Sequence, residues 1–485
     1  MTLDRGAATR RPRQRPGLWA LLAFSGSLLI YLAVAFPRLG ETQFYGLGID
    51  ASVPHLIATL GGSDAGSYTT IAYDFLDGRI EDQNRWILNL WPPGVPFLLW
   101  FIMLVNDGTL PIVPFVVITG VVWSAALALL AWLLIHRRAF MVLGLFSLAW
   151  LLTPLLTGWI VQGGAISSDG ISAALTAVLA LGLLLIGEPE FDSVRGLRRH
   201  LYFGALGLLL GVLCLFRVTW LFAILASAGA LVLYLSIRAI VRVVRRHRHT
   251  DSAPKPLART LPWIAAAVGF AIVVVPWTGV VGRVVHPGNY SWSQGDYQLA
   301  QAWMTDERLA ELNADFLIDG EVNYACKLDP VQCAEIEATE SAMEVPYGGL
   351  GANSFADFGK RAVLTALANP IPFVGARSAT TFVTWMSTPG ERVGAWSNVP
   401  FGIVSLIAFL SSLVLLVWQS ARGRSAAFFL LMLTGANLGL IWLSHFETRY
   451  LLPLQVIGLV VVAVYASRRE SSAWRRLLHR QETAR

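Results

Sequence analysis

The chain has 485 residues, of which 55% are hydrophobic and only 14% charged. Soluble domains carry about 25% charge, so there are too few ionisable side chains to coat a water-exposed surface of this size, and a soluble globular protein is excluded. The net charge of +6 does not point to nucleic acid, because the basic residues gather between long apolar blocks; the expected partner is the membrane.

Apolar blocks of about 18 residues or more cross roughly 30 Å of hydrocarbon. The first runs from Trp19 to Phe36, behind Arg5, Arg10, Arg11, Arg13 and Arg15. Ala33-Val34-Ala35 has the small-x-small form of a cleavage site, but the run is longer than a signal-peptide core and is read as a span. Further spans are expected near 111–135, 139–158, 171–187, 201–216, 218–237, 261–282, 399–418, 425–444 and 450–467. The predicted fold is an all-α polytopic membrane protein of about 10 transmembrane helices.

Charge bias decides the stretch from Val95 to Val105. If it crossed, Arg137, Arg138 and the cluster Arg238, Arg242, Arg245, Arg246, Arg248 would all face outward. If it does not, every basic cluster lies inside, as the positive-inside bias requires. The stretch is therefore read as an interfacial helix on the outer surface. That assignment makes a multi-pass protein of the plasma (inner) membrane, with both termini cytoplasmic. It divides the chain into residues 1–282, a transmembrane module containing a first outer loop 37–110; residues 283–398, a large extracytoplasmic loop; and residues 399–485, the last helices and a basic tail.

The large loop carries fourteen acidic and seven basic side chains, and it holds Cys326 and Cys333. Two cysteines in an oxidising compartment predict a disulfide, and with no further Cys or His nearby they do not form a zinc site. Cys214 falls inside a span and reads as a small buried apolar residue. Trp86, Trp91, Trp292, Trp303, Trp385 and Trp396 read as the interfacial aromatic belt, with stacking on sugars as the alternative. No internal repeat stands out.

Ionisable residues gather at the outer span ends. In the first outer loop Asp64 lies among Gly61, Gly62, Ser63, Ala65 and Gly66, with Tyr68 one helical turn on. Small neighbours let a bulky substrate approach the carboxylate; the plainer reading is a helix-capping Asp. Asp74, Asp77, Glu81 and Asp82 read as solvated surface. Asp169, before the next span on that side, again reads as a helix cap or as a group that meets substrate. Arg217 interrupts an apolar run, where it either snorkels to headgroups or binds an anion. His445, Glu447 and Arg449 crowd the outer end of the ninth span, either as a Glu447–Arg449 ion pair or, with Arg217, as a phosphate pocket. Arginine suits phosphate because its planar fork donates two parallel hydrogen bonds.

In order, the motifs are D-x-x-x-Y (Asp64, Tyr68), A-x-x-x-L-x-G (Ala72, Leu76, Gly78), PPG-x-P (Pro92, Pro93, Gly94, Pro96), S-D-G (Ser168 to Gly170) and H-x-E-x-R-Y-x-x-P (His445 to Pro453). Spread over most of the chain, they resemble the GT-C superfamily of membrane glycosyltransferases, and in particular bacterial relatives of protein mannosyltransferases and of the lipid A aminoarabinose transferase. One departure is clear: some relatives carry an acidic-basic pair before the proline segment, where this chain has Leu90-Trp91. The resemblance implies inverting transfer of a sugar from a polyprenyl-phosphate donor to a lipid, glycan or protein hydroxyl of the cell envelope. Asp64 would be the general base. Tyr68, Asp169, Arg217, His445, Glu447 and Arg449 would bind substrate. Asp169 would orient sugar hydroxyls or help hold a divalent cation; two carboxylates do not make a metal site, and none is assigned.

Two other classes fit a polytopic chain with a large outer loop. A polysaccharide ligase or polymerase would need no carboxylate placed like Asp64. A lipid-linked sugar transporter would show repeats and charges midway through its spans. The Cys326–Cys333 bridge is directly testable: mass spectrometry of non-reduced peptides should show the two cysteines linked, whereas two free thiols would reject it. Closing so short a loop contributes at most about 2–3 kcal/mol.

Overall fold

The computed structural model describes residues 16–41, 54–81, 92–106, 112–156, 166–188, 191, 194, 196–246, 257–284, 367, 370–386, 399–443 and 448–483. These form helices α1 (Pro16–Glu41), α2 (Pro54–Leu76), α3 (Gly94–Val105), α4 (Ile112–His136), α5 (Phe140–Leu156), α6 (Asp169–Ile186) and α7 (Leu197–Phe216). They continue as α8 (Thr219–Arg246), α9 (Leu257–Val284), α10 (Pro370–Met386), α11 (Val399–Ala421), α12 (Ser425–Leu443) and α13 (Thr448–Thr483). No strand occurs among the described residues. In hydrocarbon a helix satisfies its own backbone polar groups and an open sheet does not.

Nine of these helices are long and apolar enough to cross a membrane: α1, α4, α6, α7, α8, α9, α11, α12 and α13. The chain is an all-α, multi-pass membrane protein. Helix α5 has 17 residues, about 26 Å at 1.5 Å per residue, and runs back along α4. Trp150 on α5 stacks on Trp123 of α4 with ring centroids 4.2 Å apart.

Burial separates central helices from peripheral ones. The apolar windows of α6 and α13 are each 78% buried, that of α1 only 17%. Helix α6 is alanine-rich and apolar on all sides, as a helix enclosed by others must be. Helix α1 lies antiparallel to α4: Ser27 meets Ser124 (Oγ to Oγ, 3.0 Å), and one turn on Tyr31 covers Gly120.

Helices α7 and α9 run parallel along a seam of small residues. Gly204, Gly207 and Gly211 of α7 face Ala265, Ala266, Gly269, Phe270 and Val273 of α9. Lipid tails are as apolar as leucine, so helices in a bilayer associate through close backbone packing, which small residues allow.

The described helix ends fall into two sets. At one end Arg137 pairs with Glu188 at 2.7 Å, and Arg468 donates to the same carboxylate from Nε at 2.8 Å. Arg137 also donates to the Val464 carbonyl and to Ser467. Glu470 accepts from the backbone N–H groups of Met141 and Val142 at the start of α5. The guanidinium of Arg238 packs on Gly423. These contacts bring the 137–138, 188, 238, 422–424 and 468 segments to one arginine-rich end. Asp169, Arg217 and Tyr450 mark the far end.

Helix α3 begins at the far end. Pro93 caps it and Pro96 falls within its first turn, where a missing N–H breaks no helical hydrogen bond. Gly94 packs on the Leu215 carbonyl, beside the turn that holds Arg217. At its other end, Asn106 donates to the Ile102 carbonyl at 2.7 Å, a few residues before α4 begins. Twelve residues reach about 18 Å, too short to cross.

The 283–398 segment contributes α10, which docks on the bundle through Trp385 Nε1 to Ser405 and Trp442 Nε1 to Thr381, each at 2.8 Å. Cys326 and Cys333 lie outside the described residues, as do Trp86, Trp91, Trp292, Trp303 and Trp396. Cys214 is buried and free, as its place in a span predicts.

The α7–α9 seam yields a sharp expectation. An added Cβ at Gly207 would sit 2.7 Å from the Ala266 carbonyl carbon and closer still to its oxygen. Gly207→Val should lower the thermal midpoint of the detergent-solubilised protein, at a cost of about 1–3 kcal/mol or more. Gly229, with nothing within 4 Å of an added Cβ, should tolerate alanine. Equal behaviour of the two variants would refute the seam.

Candidate functional site

Asp169 is the first residue of α6. The cap position belongs to Ser168, which makes no side-chain cap bond, so the capping reading of Asp169 is corrected. Its carboxylate is instead turned into the protein, 2% exposed. Oδ2 accepts from the Ser167 hydroxyl at 2.9 Å. Oδ1 is paired with Nη1 of Arg217, 48 residues away in sequence. The Asp169 backbone N–H donates back to Ser167 Oγ at 3.0 Å, closing the turn. A carboxylate in the first helical turn also complements the helix dipole.

Arg217 occupies the break between α7 and α8, where its backbone is extended (φ −149°, ψ 119°). Its side chain is 13% exposed. It does not snorkel; it is held by Asp169 and lies over the ring of Tyr450, 4.4 Å from the centroid. Nearby, Trp220 Nε1 donates to Ser172 Oγ at 3.2 Å, locking the start of α8 to α6. Among the described residues, Nε and Nη2 of Arg217 donate to no acceptor. These two nitrogens form the side-on edge of the guanidinium, which matches two oxygens of a phosphate.

Tyr450 lies in the first turn of α13, directly after Arg449. The backbone of Arg449 is the second residue of that helix, while its side chain, with His445 and Glu447, lies outside the described residues. The S-D-G segment, the Arg217 turn and the end of the His445–Pro453 segment thus converge at the far end. The PPG-x-P segment abuts the same turn through Gly94 and Leu215.

Helix α2 carries the first motif. Asp64 lies ten residues past the helix start at Pro54, well inside the helix, so it is not a cap; its side chain lies outside the described residues. Tyr68, one turn on and therefore on the same helical face, is buried, as are Ala65 and Ala72. Gly78 closes the helix at φ +70°. Gly78 N–H donates to Phe75 and Arg79 N–H to Asp74, the double bond of a left-handed helix cap for which glycine is the natural residue. Phe75 then stacks on Phe97 of α3 at 4.9 Å. Burial raises the pKa of Tyr73 on the same helix, so it stays protonated.

Two sequence assignments change here. Asp74, read as solvated, is buried and accepts the Glu81 N–H at 3.2 Å; Asp77 is exposed as expected, and Asp82 lies outside the described residues. Trp385 belongs to neither belt nor sugar platform, being 1% exposed and bonded to Ser405. Sequence reasoning missed Ser167 and Tyr450. The signals were there: a serine two residues before Asp169, and an aromatic directly after Arg449. No group of three metal-ligating side chains occurs among the described residues. Comparison with family models, curated proteins and solved structures returns no match.

The Asp169–Arg217 pair is testable as a unit. Breaking a buried pair by removing one partner costs about 3–5 kcal/mol, because the other charge is left uncompensated. Asp169→Ala and Arg217→Met should each lower the thermal midpoint, and the double variant should lose clearly less than their sum. Strictly additive losses would mean that the two side chains act independently.

Proposed function

We propose that the chain is an inverting membrane glycosyltransferase, moving a sugar from a polyprenyl-phosphate carrier to an acceptor hydroxyl on a lipid, glycan or protein. The observation that carries this reading is the Asp169–Arg217–Tyr450 cluster. It joins segments far apart in sequence and leaves the Nε–Nη2 edge of Arg217 without an acceptor among the described residues. The order of motifs from Asp64 to Pro453, which resembles the GT-C superfamily, adds to it.

In this reading the polyprenyl tail lies in the bilayer and its phosphate rests at the far end, facing the extracytoplasmic side of the plasma membrane. The acceptor hydroxyl gives its proton to the Asp64 carboxylate as its oxygen attacks the anomeric carbon. The bond from that carbon to the phosphate oxygen breaks on the opposite face, and the lipid phosphate leaves with the electron pair. Arg217, with Arg449 and His445, stabilises the charge growing on the phosphate. Asp169 and Tyr450 fix the plane of Arg217. Tyr68 orients the substrate one turn from Asp64, and Glu447 pairs with Arg449 or with a sugar hydroxyl. The ion pairs described within the bundle lie near the ends of the apolar spans, which favours chemistry at the interface over passage through the middle.

The deciding substitution is Asp64→Asn, which preserves size but removes the proton acceptor. Purified protein assayed with a panel of polyprenyl-phosphate sugars should lose roughly 10²- to 10⁴-fold in turnover, while Asp77→Asn, on the exposed turn, stays active. An active Asp64→Asn beside a dead Asp77→Asn would mean the wrong carboxylate was chosen. If the wild-type protein consumes no donor, the ligase and transporter readings take precedence.

A further inference from the structure

The arginine-rich end contains a second arrangement, independent of the proposed transfer reaction. Arg238, near the end of α8, rests its guanidinium against the α-carbon of Gly423, in the turn between α11 and α12. Nη1 donates to the Tyr234 hydroxyl at 2.7 Å, and that hydroxyl donates to the Ser420 carbonyl at 2.8 Å. The Tyr234 ring is stacked on Phe428 with centroids 4.1 Å apart. Arg238 is therefore held between two helices by packing and by a neutral hydroxyl. Arg422, adjacent to Gly423, lies over the Trp418 indole, 3.6 Å from its centroid. Neither arginine meets a carboxylate among the described residues. By contrast, Arg137 and Arg468 share Glu188.

Two positioned guanidinium groups without a counter-charge call for an anion. The surface beside them specifies what kind. On the membrane side of the two arginines, α8 exposes Leu233 and Ile237, and α11 exposes Val414 and Trp418. Each arginine thus has exposed apolar side chains on the helix that leads to it, Leu233 and Ile237 before Arg238, Val414 and Trp418 before Arg422. A soluble anion would use the arginines alone, whereas an amphiphile uses both. Tryptophan prefers the headgroup level of a bilayer, and basic pockets between helices attract anionic headgroups.

We propose that Arg238 and Arg422 form a headgroup site for an anionic phospholipid of the adjoining leaflet. Its phosphate lies between the two guanidinium groups, and its acyl chains run along Leu233, Ile237 and Val414. Gly423 is part of the site, because a side chain there would displace the Arg238 guanidinium.

The test uses the full chain in nanodiscs of phosphatidylcholine with and without phosphatidylglycerol. Thermal midpoints are measured in the discs, and retained lipid is counted by native mass spectrometry. Phosphatidylglycerol should raise the midpoint of the wild-type protein and remain bound. Arg238→Gln/Arg422→Gln should bind it roughly tenfold more weakly or worse. Arg422→Gln alone, at an exposed position that folding tolerates, should show part of that loss. Arg198→Gln/Arg469→Gln removes the same charge from exposed positions on other helices and should keep the wild-type response. The proposal is overturned if the two lipids act alike on the wild-type protein, or if the control double variant loses as much as the site variant. It is also overturned if inorganic phosphate in phosphatidylcholine discs reproduces the whole shift, since the apolar side chains would then contribute nothing.

Discussion

A charge carried into hydrocarbon must meet an opposite charge or reach water, and this constraint organises the molecule. The chain crosses the bilayer on helices whose interiors are almost free of ionisable groups and collects its charges at their ends. At the far end a buried carboxylate meets one arginine. At the other end a buried carboxylate meets two. The helices between associate by close contact of small residues, since no hydrophobic drive separates protein from lipid tails.

The same constraint places the candidate site at the end of the bundle. Arg217 sits in a break between two spans, where its backbone leaves helical geometry and its side chain turns onto Asp169 and Tyr450. Asp169 neutralises the guanidinium on one edge, and the Nε and Nη2 of the other edge donate to no acceptor among the described residues. In the proposed reaction that edge would meet the donor phosphate, and with the guanidinium already held in place little would have to move to receive it.

Much of this architecture is legible in the sequence. The spans follow from unbroken apolar blocks, and the gathering of Arg137, Arg238, Arg422 and Arg468 at one end follows from charge bias. Arg217 stands out because arginine is costly in an apolar run. Its pairing with Asp169 is not legible, because the two are brought together by the packing of α6 against the α7–α8 turn and not by spacing. Asp74 was misread for a related reason. It is followed by Asp77, Arg79 and Glu81, a polar run that reads as solvated, yet it lies in the last turn of α2 and is folded under the chain that leaves it. Trp385 reads as interfacial from composition; only the docking of α10 against Ser405 shows it as an internal strut. The Asp169 assignment missed by one residue, since sequence marks a helix start more readily than the residue that caps it.

Two of the three buried carboxylates among the described residues flank helix α6, Asp169 at its first residue and Glu188 two residues beyond its last. Each is gripped by arginines rooted in other parts of the chain. The helix is thus pinned at both ends, like a rod between two sockets whose separation and angular offset are fixed by residue count. One residue inserted in α6 would lengthen it by about 1.5 Å and turn one carboxylate by about 100° relative to the other, so both sockets could not be filled at once. Substitutions on its apolar surface leave that phase intact, whereas a single-codon insertion or deletion does not. The length of α6 should therefore vary less than its composition.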